Sequence, residues 1–379
     1  MSPNLFERQT LRARNGLAYL AGTSEPRIAT TPRDLVWQLD KARLWRYRNP
    51  DGPRHRPPVL IVHSLVSKSY ILDLLPGNSM VAFMVQEGFD VFLLDWMAAD
   101  PADAENTLET YVDHYIPAAM AAVAEESGEG EQTVIGYCFA GILTLLLAAA
   151  HPELPVRNLI TLTTPCDYTE MGFMSRMFLE GRLDPDDVID DTGLVPAAAM
   201  DEGFQALKPT DRIVQQVNLW QNLWNDQWVE GFQAMNRWAR DQVAFPGAAF
   251  RQTVDVLIRR NALCAGVVPY GRGEVRLADV TCPYLNVYCE QDTIVPARSS
   301  EPLTRLVGSP DASELRLQSG HVGLVAGRQA AKVARPQIAD WLRARSEDRR
   351  DTLLAERTGD GYRFDIRLQG DRETVFFDV

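Results

Sequence analysis

The sequence contains few of the residues from which a disulfide framework or a metal site could be built. Its 379 residues include five cysteines and five histidines. The cysteines are Cys138, Cys166, Cys264, Cys282 and Cys289, an odd number with no Cys-x-x-Cys spacing. Because paired spacings of that kind mark disulfide-rich and zinc-binding chains, we predict neither disulfides nor a metal site, and we expect a reducing compartment.

Long apolar runs and an excess of positive charge are also missing. The most apolar stretch, FAGILTLLLAAA at residues 139–150, is shorter than the roughly 20 residues that a bilayer-spanning helix needs. Charged residues occupy the start of the chain, where a signal peptide needs an apolar segment. The net charge of −13 disfavours nucleic-acid binding, because phosphates repel an acidic surface. We therefore expect a cytoplasmic protein with no nucleic-acid partner.

Short apolar runs alternate with helical patterns along most of the chain. The runs typical of buried strands lie at residues 59–63, 91–95, 133–136, 158–163 and 284–289, and an alternating, more exposed strand lies at 314–318. Helical patterns lie at residues 79–87, 108–126, 139–150 and 330–345. This alternation predicts an α/β fold with a mostly parallel sheet that is covered by helices on both faces.

The alternation stops between about residues 165 and 266, which we interpret as a helical insertion over the sheet. Four of the chain's eight tryptophans lie here: Trp220, Trp224, Trp228 and Trp238. Their spacing places at least the first three on one helical face. That face either packs the insertion's own core or forms a hydrophobic wall for an acyl group, and the two interpretations are compatible.

The two ends of the chain carry weaker patterns. Residues 5–20 predict an amphipathic helix that docks on the core or on a partner. Residues 362–379 alternate on either side of Gly370 and Asp371, which predicts a hairpin.

One segment has the pattern of a nucleophile elbow, a tight turn between a strand and a helix that exposes a catalytic side chain. Residues 133–150 read TVIGYCFAGILTLLLAAA, so a strand ends near Gly136 and a helix begins after Cys138. The positions two before and two after the nucleophile must be small, and they hold Gly136 and Ala140, with Gly141 next. A helix N-terminus favours the thiolate of Cys138. The alternative is a buried structural cysteine.

An elbow also predicts an acid and then a histidine further along the chain. Asp292 comes just after a predicted strand, and His321 follows the next strand between two glycines. His321 is the only histidine after Asp292, so we predict it as the base and Asp292 as its partner; an ordinary loop aspartate and a structural histidine are the alternatives. His63 ends the first parallel strand and is a candidate for lining the site.

These motifs resemble those of the polyhydroxyalkanoate synthases, within the α/β-hydrolase superfamily. GYCFAG at residues 136–141 resembles the synthase lipase-like box with cysteine as nucleophile. Residues 69–96 resemble the synthase segment after the first core strand, EQDTIVP at 290–296 the acid loop, and SGHVGLVAGR at 319–328 the histidine loop. The synthases are of two kinds, and the longer kind carries an extra N-terminal domain. The length of this chain is similar to that of the shorter kind, which works with a separate partner subunit.

The resemblance implies an α/β-hydrolase core at residues 57–165 and 266–345 with a helical cap at 166–265. The remaining parts are an N-terminal segment, 1–56, and a C-terminal tail, 346–379. The resemblance also implies a reaction: the transfer of 3-hydroxyacyl groups from coenzyme A thioesters to a growing polyester through an acyl-cysteine, with no cofactor. It further implies a partner subunit, a homodimer and a place at the surface of polyester granules.

In the same resemblance, Cys138, Asp292 and His321 form the catalytic triad. The amide of Phe139 stabilises the oxyanion, helped by a backbone N–H near Ser64 and Leu65.

The sequence departs from the synthase pattern at two places. Ala140 replaces a glycine, and the loop after Val62 reads HSLVSKSY where the family has a proline-rich stretch. Two rival functions therefore stay open. One is a cysteine-dependent hydrolase similar to dienelactone hydrolases, and the other is a non-catalytic homologue that acts as a scaffold.

Overall fold

An eight-stranded sheet forms the centre of the protein in the computed structural model, which describes residues 4–21, 25–206, 211–327, 329–349, 352–358, 361–368 and 371–378. The strands are β1 (Arg33–Leu39), β2 (Ala42–Tyr47), β3 (Val59–Val62), β4 (Val91–Asp95), β5 (Gln132–Tyr137), β6 (Val156–Leu162), β7 (Tyr284–Cys289) and β8 (Ala312–Leu317). Their order across the sheet is β1-β2-β4-β3-β5-β6-β7-β8. All six predicted strands are confirmed, and the more exposed one, β8, lies at the sheet edge.

Strands β3 to β8 are parallel, so their carboxyl ends meet at one edge of the sheet. In β5, Gly136 lies level with Val62 of β3 and Thr161 of β6. The antiparallel pair β1 and β2 joins the sheet through β4. We did not predict these two strands, which lie in the N-terminal segment, because charged residues interrupt their apolar pattern.

Helices cover both faces of the sheet. The α-helices of the described residues are α1 (Leu5–Ala21), α2 (Met80–Gln86), α3 (Ile116–Ser127), α4 (Phe139–Ala150), α5 (Phe173–Leu179), α6 (Ala197–Ala206), α7 (Asp211–Asn222), α8 (Asp226–Arg240), α9 (Gly247–Gln252), α10 (Ala297–Ser300), α11 (Leu303–Leu306) and α12 (Arg335–Arg343). Helices α3 and α4 pack on one face and α2 and α12 on the other. Alternate residues of β3 face opposite ways: Leu60 joins the apolar cluster with α3 and α4, while Ile61 joins the cluster with α2 and α12. The predicted two-sided parallel sheet is confirmed, and each face contributes its own core.

Helices α5 to α9 lie in the insertion, which contacts the carboxyl edge of the sheet. Our prediction that three tryptophans share one helical face is wrong. Helix α7 ends at Asn222 and α8 begins after Asn225, so Trp224 lies in the connection between them. The Asn225 side chain accepts the backbone N–H of Trp228 and caps the new helix, which explains the break. Trp220 is largely exposed, whereas Trp238 is buried.

The N-terminal helix α1 docks on this insertion, as the amphipathic pattern allowed. Arg14 lies 2.6 Å from Asp226, and Gly16 packs against Leu223.

The predicted C-terminal hairpin is confirmed as β10 (Gly361–Leu368) and β11 (Asp371–Asp378). An unpredicted strand, β9 (Thr352–Thr358), pairs with β10 and completes a three-stranded sheet. Across the described residues, no helix is long and apolar enough to cross a membrane.

Candidate active site

Cys138 occupies a strained turn between β5 and α4. Its backbone has φ 55° and ψ −121°, a conformation that side chains other than glycine rarely adopt. Hydrogen bonds hold this conformation: the Cys138 N–H donates to the Leu162 carbonyl (2.8 Å), and the Thr164 hydroxyl donates to the Cys138 carbonyl (3.1 Å). The half-buried thiol is therefore fixed at the carboxyl edge of the sheet, at the start of a helix.

Two glycines make room for the turn. A Cβ at Gly136 would lie 2.6 Å from the Gly141 Cα and 2.8 Å from the Ala140 carbonyl oxygen. A Cβ at Gly141 would lie 1.8 Å from the Thr164 hydroxyl oxygen. Ala140 itself is fully buried and packs in the core beneath the sheet edge. The close approach thus depends on Gly136 and Gly141, and the structure accommodates alanine at position 140.

We expect Gly136→Ala to destabilise the protein by roughly 1–3 kcal/mol, because backbone atoms must move to admit the methyl group. Urea denaturation followed by circular dichroism measures this change. Gly231→Ala is the matched control, since Gly231 lies within α8 with open space around it. That substitution should stabilise the protein by about 0.5–1 kcal/mol. Equal stability of the wild type and Gly136→Ala would contradict the packing argument.

The predicted acid and base lie next to each other beside Cys138. Asp292 follows β7, and its Oδ1 accepts the backbone N–H groups of Ile294 and Val295, each at 2.8 Å. Its Oδ2 accepts a hydrogen bond from His321 Nδ1 at 2.8 Å, and both side chains are almost fully buried. The Nε2 of His321 takes no part in that bond, and Cys138 is close enough to raise the pKa of the imidazole. The three predicted residues thus come together from the ends of β5, β7 and β8.

The charge of His321 is set by these neighbours. Burial alone would lower the pKa of His321, but the Asp292 carboxylate and Cys138 raise it to about 10. The ordinary value is 6.5, so the imidazole is held as an imidazolium at neutral pH.

This raised pKa predicts how stability depends on pH. Because the folded-state value exceeds the ordinary value, charged His321 stabilises the fold fully below pH 6.5, and this contribution is lost as the pH rises toward 10. Urea denaturation at several pH values across that window measures the decline. His321→Asn should show a smaller decline than the wild type over the same window. An identical decline in both proteins would contradict this assignment.

The loop at residues 63–68, here called the oxyanion loop, follows β3 beside the elbow. His63 and Ser64 are almost completely buried, and Leu65 is 5% exposed. His63 Nε2 donates to the Ser67 carbonyl at 3.0 Å, and its ring stacks on Tyr137, which also contacts the His321 ring. Burial lowers the pKa of His63 to about 4, so the ring is neutral, and its Nε2 is already bonded within the loop.

Two tryptophans that we did not assign to the site hold the same loop. The Trp96 indole donates to the His63 carbonyl at 2.6 Å, and the Trp238 indole donates to the Lys68 carbonyl at 2.8 Å. Trp96 directly follows β4, a predicted strand, and this position at the carboxyl edge of the sheet is the sequence feature that could have assigned it to the site. Trp238 lies 170 residues from Lys68 along the chain, and no local pattern connects the two.

Phe139, the residue after Cys138, begins α4. A first-turn N–H has no carbonyl one turn earlier to bond, so this amide is available to a substrate oxygen. The Phe139 ring meets Phe245 of the insertion edge-on at 5.4 Å, and Phe250 and Phe178 extend the aromatic cluster. These phenylalanines belong to the apolar cluster on the α3 and α4 side of the sheet, whereas Cys138 packs against the other cluster, which contains Tyr137 and Trp238. Within the part of the chain that is described, no three His, Cys, Asp or Glu side chains are grouped as metal ligands would be.

Comparisons with known proteins agree with this architecture. The alpha/beta hydrolase fold family matches residues 57–327, and the family model for the N-terminus of poly-beta-hydroxybutyrate polymerase (PhaC) matches residues 18–84. A solved structure of a thermophilic esterase from Thermogutta terrifontis superposes with a TM-score of 0.50 at 14% identity. It covers 84% of this chain and 99% of the esterase chain, and at that identity the likeness shows the fold alone.

Two curated relatives are more similar in sequence. The poly(3-hydroxyalkanoate) polymerase subunit PhaC of Allochromatium vinosum is 33% identical over 333 residues, which cover 87% of this chain and 93% of the relative. The subunit of the same name from Thiocystis violacea is 31% identical, covering 89% of this chain and 95% of the relative. With its nucleophile elbow, its parallel sheet and these matches along most of its length, the chain belongs to the poly(3-hydroxyalkanoate) polymerase subunit PhaC family, on the alpha/beta hydrolase fold.

Proposed function

We propose that this protein is a polyhydroxyalkanoate synthase that transfers 3-hydroxyacyl groups from coenzyme A thioesters to a growing polyester through an acyl-cysteine. The observation that carries the proposal is the buried hydrogen bond between His321 and Asp292 beside Cys138, which lies in the strained turn at the start of α4. The relatives' printed name, poly(3-hydroxyalkanoate) polymerase subunit, supports the choice of substrate class. Cysteine, histidine and carboxylate suffice for acyl transfer, so the proposed reaction uses no cofactor.

The first half-reaction forms the acyl-enzyme. The Cys138 sulfur attacks the thioester carbonyl as a thiolate beside the imidazolium of His321, and a tetrahedral oxyanion forms. When this intermediate collapses, the carbon–sulfur bond to coenzyme A breaks and His321 gives its proton to the leaving thiolate. Free coenzyme A departs, and His321 is left neutral. Exchange of one thioester for another costs little free energy, which suits a thiol nucleophile.

The second half-reaction makes the ester bond. Neutral His321 takes the proton of an incoming 3-hydroxyacyl hydroxyl as its oxygen attacks the acyl-cysteine carbonyl. The Cys138 thiolate leaves, and the imidazolium is restored. Asp292 keeps Nδ1 of His321 protonated and turns Nε2 toward the reacting atoms, since its own position is fixed by two backbone N–H groups.

Backbone amides stabilise the oxyanion in both halves. We assign one donor to Phe139 at the start of α4 and the second to the oxyanion loop near Ser64 and Leu65. Fixed donors of this kind stabilise developing charge without having to reorganise during the reaction. Water must be kept from the acyl-cysteine because hydrolysis is the competing reaction, and the apolar cluster against which Cys138 packs, which includes Tyr137 and Trp238, limits its access.

The subunit in the relatives' names supports a partner subunit for this chain, and their polymerase activity supports a place at the surface of polyester granules. Size-exclusion chromatography with light scattering tests for the homodimer that the family resemblance implies.

Incubation of the purified protein with 3-hydroxybutyryl-coenzyme A tests the function. We expect thiol release together with ester oligomers in the mass spectrum. Thiol release with only free 3-hydroxybutyrate would indicate a hydrolase instead. Absence of release, repeated with longer 3-hydroxyacyl chains and with no acyl adduct on Cys138, would overturn the proposal.

A further inference from the structure

We infer that Trp238 of the insertion is a positioning residue for the oxyanion loop, so that the placement of the insertion and the stabilisation of the oxyanion are coupled. This inference rests on the proposed function, because it assigns a role in the same acyl transfer. Trp238 is only 8% exposed, and its indole N–H donates to the Lys68 carbonyl at 2.8 Å.

Three ring N–H groups hold the carbonyls of the loop. Trp96 binds the His63 carbonyl at the loop's start, His63 binds the Ser67 carbonyl one residue before its end, and Trp238 binds the Lys68 carbonyl at its end. Two of these donors, His63 and Trp96, directly follow strands of the sheet, β3 and β4. Trp238 alone among the three comes from the insertion, so the last contact exists only when the insertion is in place.

Fixing the carbonyls also fixes the amides. The peptide group is planar and trans, so the carbonyl of one residue and the N–H of the next point in opposite directions. The carbonyls of His63 and Lys68 are turned toward the two indoles, which orients the N–H groups of Ser64 and Ser69 away from them. The Ser64 amide, whose peptide group is held by Trp96, therefore keeps one orientation, and Trp238 holds the far end of the same loop, which limits rotation of the peptide planes between them.

Further hydrogen bonds fix the helix that carries Trp238, α8, relative to the rest of the protein. The Tyr70 hydroxyl donates to Asp241 at 3.2 Å, a second bond between the segment after the loop and the end of α8. At the other end of α8, Asp226 accepts hydrogen bonds from Arg14 (2.6 Å) and Asn15 (2.7 Å) of α1. Helix α8 is thus anchored at both ends.

Trp238→Phe tests the inference, because it removes the N–H donor and keeps an aromatic ring. Two reactions of Cys138 are compared by intact mass: acylation by p-nitrophenyl butyrate and alkylation by iodoacetamide. Acylation passes through an oxyanion, whereas alkylation displaces iodide at a saturated carbon and forms none. We expect acylation to slow by about tenfold or more, since a misplacement of ~1 Å can cost ~10²-fold in rate. Alkylation should stay within about twofold of the wild type.

Trp341→Phe is the matched control. It also removes an indole hydrogen bond, to the Ser313 hydroxyl at 3.0 Å, but at the edge of the sheet near β8. Both rates should be unchanged in this variant. Unchanged acylation in Trp238→Phe would overturn the inference, and so would an equal decrease of both rates, because that indicates general damage to the site.

A second variant covers the case in which Trp238→Phe does not fold. Tyr70→Phe removes the other hydrogen bond to the end of α8. It should also slow acylation, by a smaller factor than Trp238→Phe, without slowing alkylation. No change in acylation would count against the coupling.

The ester substrate also separates the two proposals. If the wild type is acylated by p-nitrophenyl butyrate but releases no thiol from 3-hydroxyacyl-coenzyme A, the synthase function fails while the positioning role stands. If neither substrate acylates Cys138, both fail.

Discussion

Cys138→Ala is expected to abolish the acyl-enzyme and to decrease coenzyme A release from 3-hydroxybutyryl-coenzyme A by roughly 10³-fold or more. The thiol is the group that forms the covalent bond, and removing a nucleophile leaves only the residual catalysis of the surrounding site. Stopped assays with a thiol reagent measure release, and intact mass measures the adduct. The fold should persist, because alanine replaces a half-buried thiol and keeps the Cβ that the strained backbone already carries.

Two further cysteine variants act as controls for this result. Cys138→Ser preserves the size and polarity of the side chain, and we expect it to lose most of the activity because a hydroxyl is a weaker nucleophile than a thiolate. Cys282→Ala should retain the activity of the wild type, since Cys282 lies just before β7, at the opposite edge of the sheet from the site. An acyl adduct on Cys282, or full activity of Cys138→Ala, would show that the nucleophile is wrongly assigned.

His321→Asn is expected to decrease thiol release by 10²–10⁴-fold, the usual range for loss of general acid–base catalysis. The variant removes the proton carrier for both half-reactions. It should also slow the alkylation of Cys138 by iodoacetamide, because the positive charge of the imidazolium beside the sulfur is lost. This response differs from that of Trp238→Phe, which we expect to leave alkylation intact. His114→Asn serves as the control, since His114 is exposed on the surface and should not affect either rate.

Asp292→Asn probes the orientation of the same imidazole. The amide oxygen of asparagine can still accept the N–H groups of Ile294 and Val295, so the loop should keep its shape. The amide nitrogen, however, presents a donor to His321 Nδ1 and favours the wrong tautomer. We expect a large decrease in turnover together with a decrease in thermal stability at neutral pH, because the carboxylate that stabilises charged His321 is lost. Activity equal to that of the wild type would mean that His321 does not need the carboxylate.

The sequence located the residues of the candidate site but not the supports that hold them. Cys138, Asp292 and His321 were predictable because each follows a strand, and parallel strands end at one edge of a sheet. Ala140 could not be judged from the pattern, since only the packing of Gly136 against Gly141 reveals which positions need a glycine. The role of Trp238 in holding the oxyanion loop depends on a contact between distant segments, which no local spacing encodes.

The same division applies to the fold. Strands β3 to β8 and helix α4 were evident from apolar periodicity, because burial on both faces of a sheet requires continuous apolar runs. Strands β1 and β2 were missed, since an antiparallel pair near the sheet edge tolerates charged residues such as Arg43 and Arg46. The break between α7 and α8 was missed as well, because the tryptophan spacing continues through it while the cap at Asn225 interrupts the helix.

By itself, the sequence determined the parallel sheet, the elbow and the positions of Cys138, Asp292 and His321 after three of the strands, because local patterns of polarity and small residues specify strands and tight turns directly. Tertiary structure decided which carbonyls of the oxyanion loop are held, how His321 is charged and where the insertion meets the site. Those properties arise from distances between segments far apart in the chain, from burial and from the fields of neighbouring charges, and these exist only after the chain has folded.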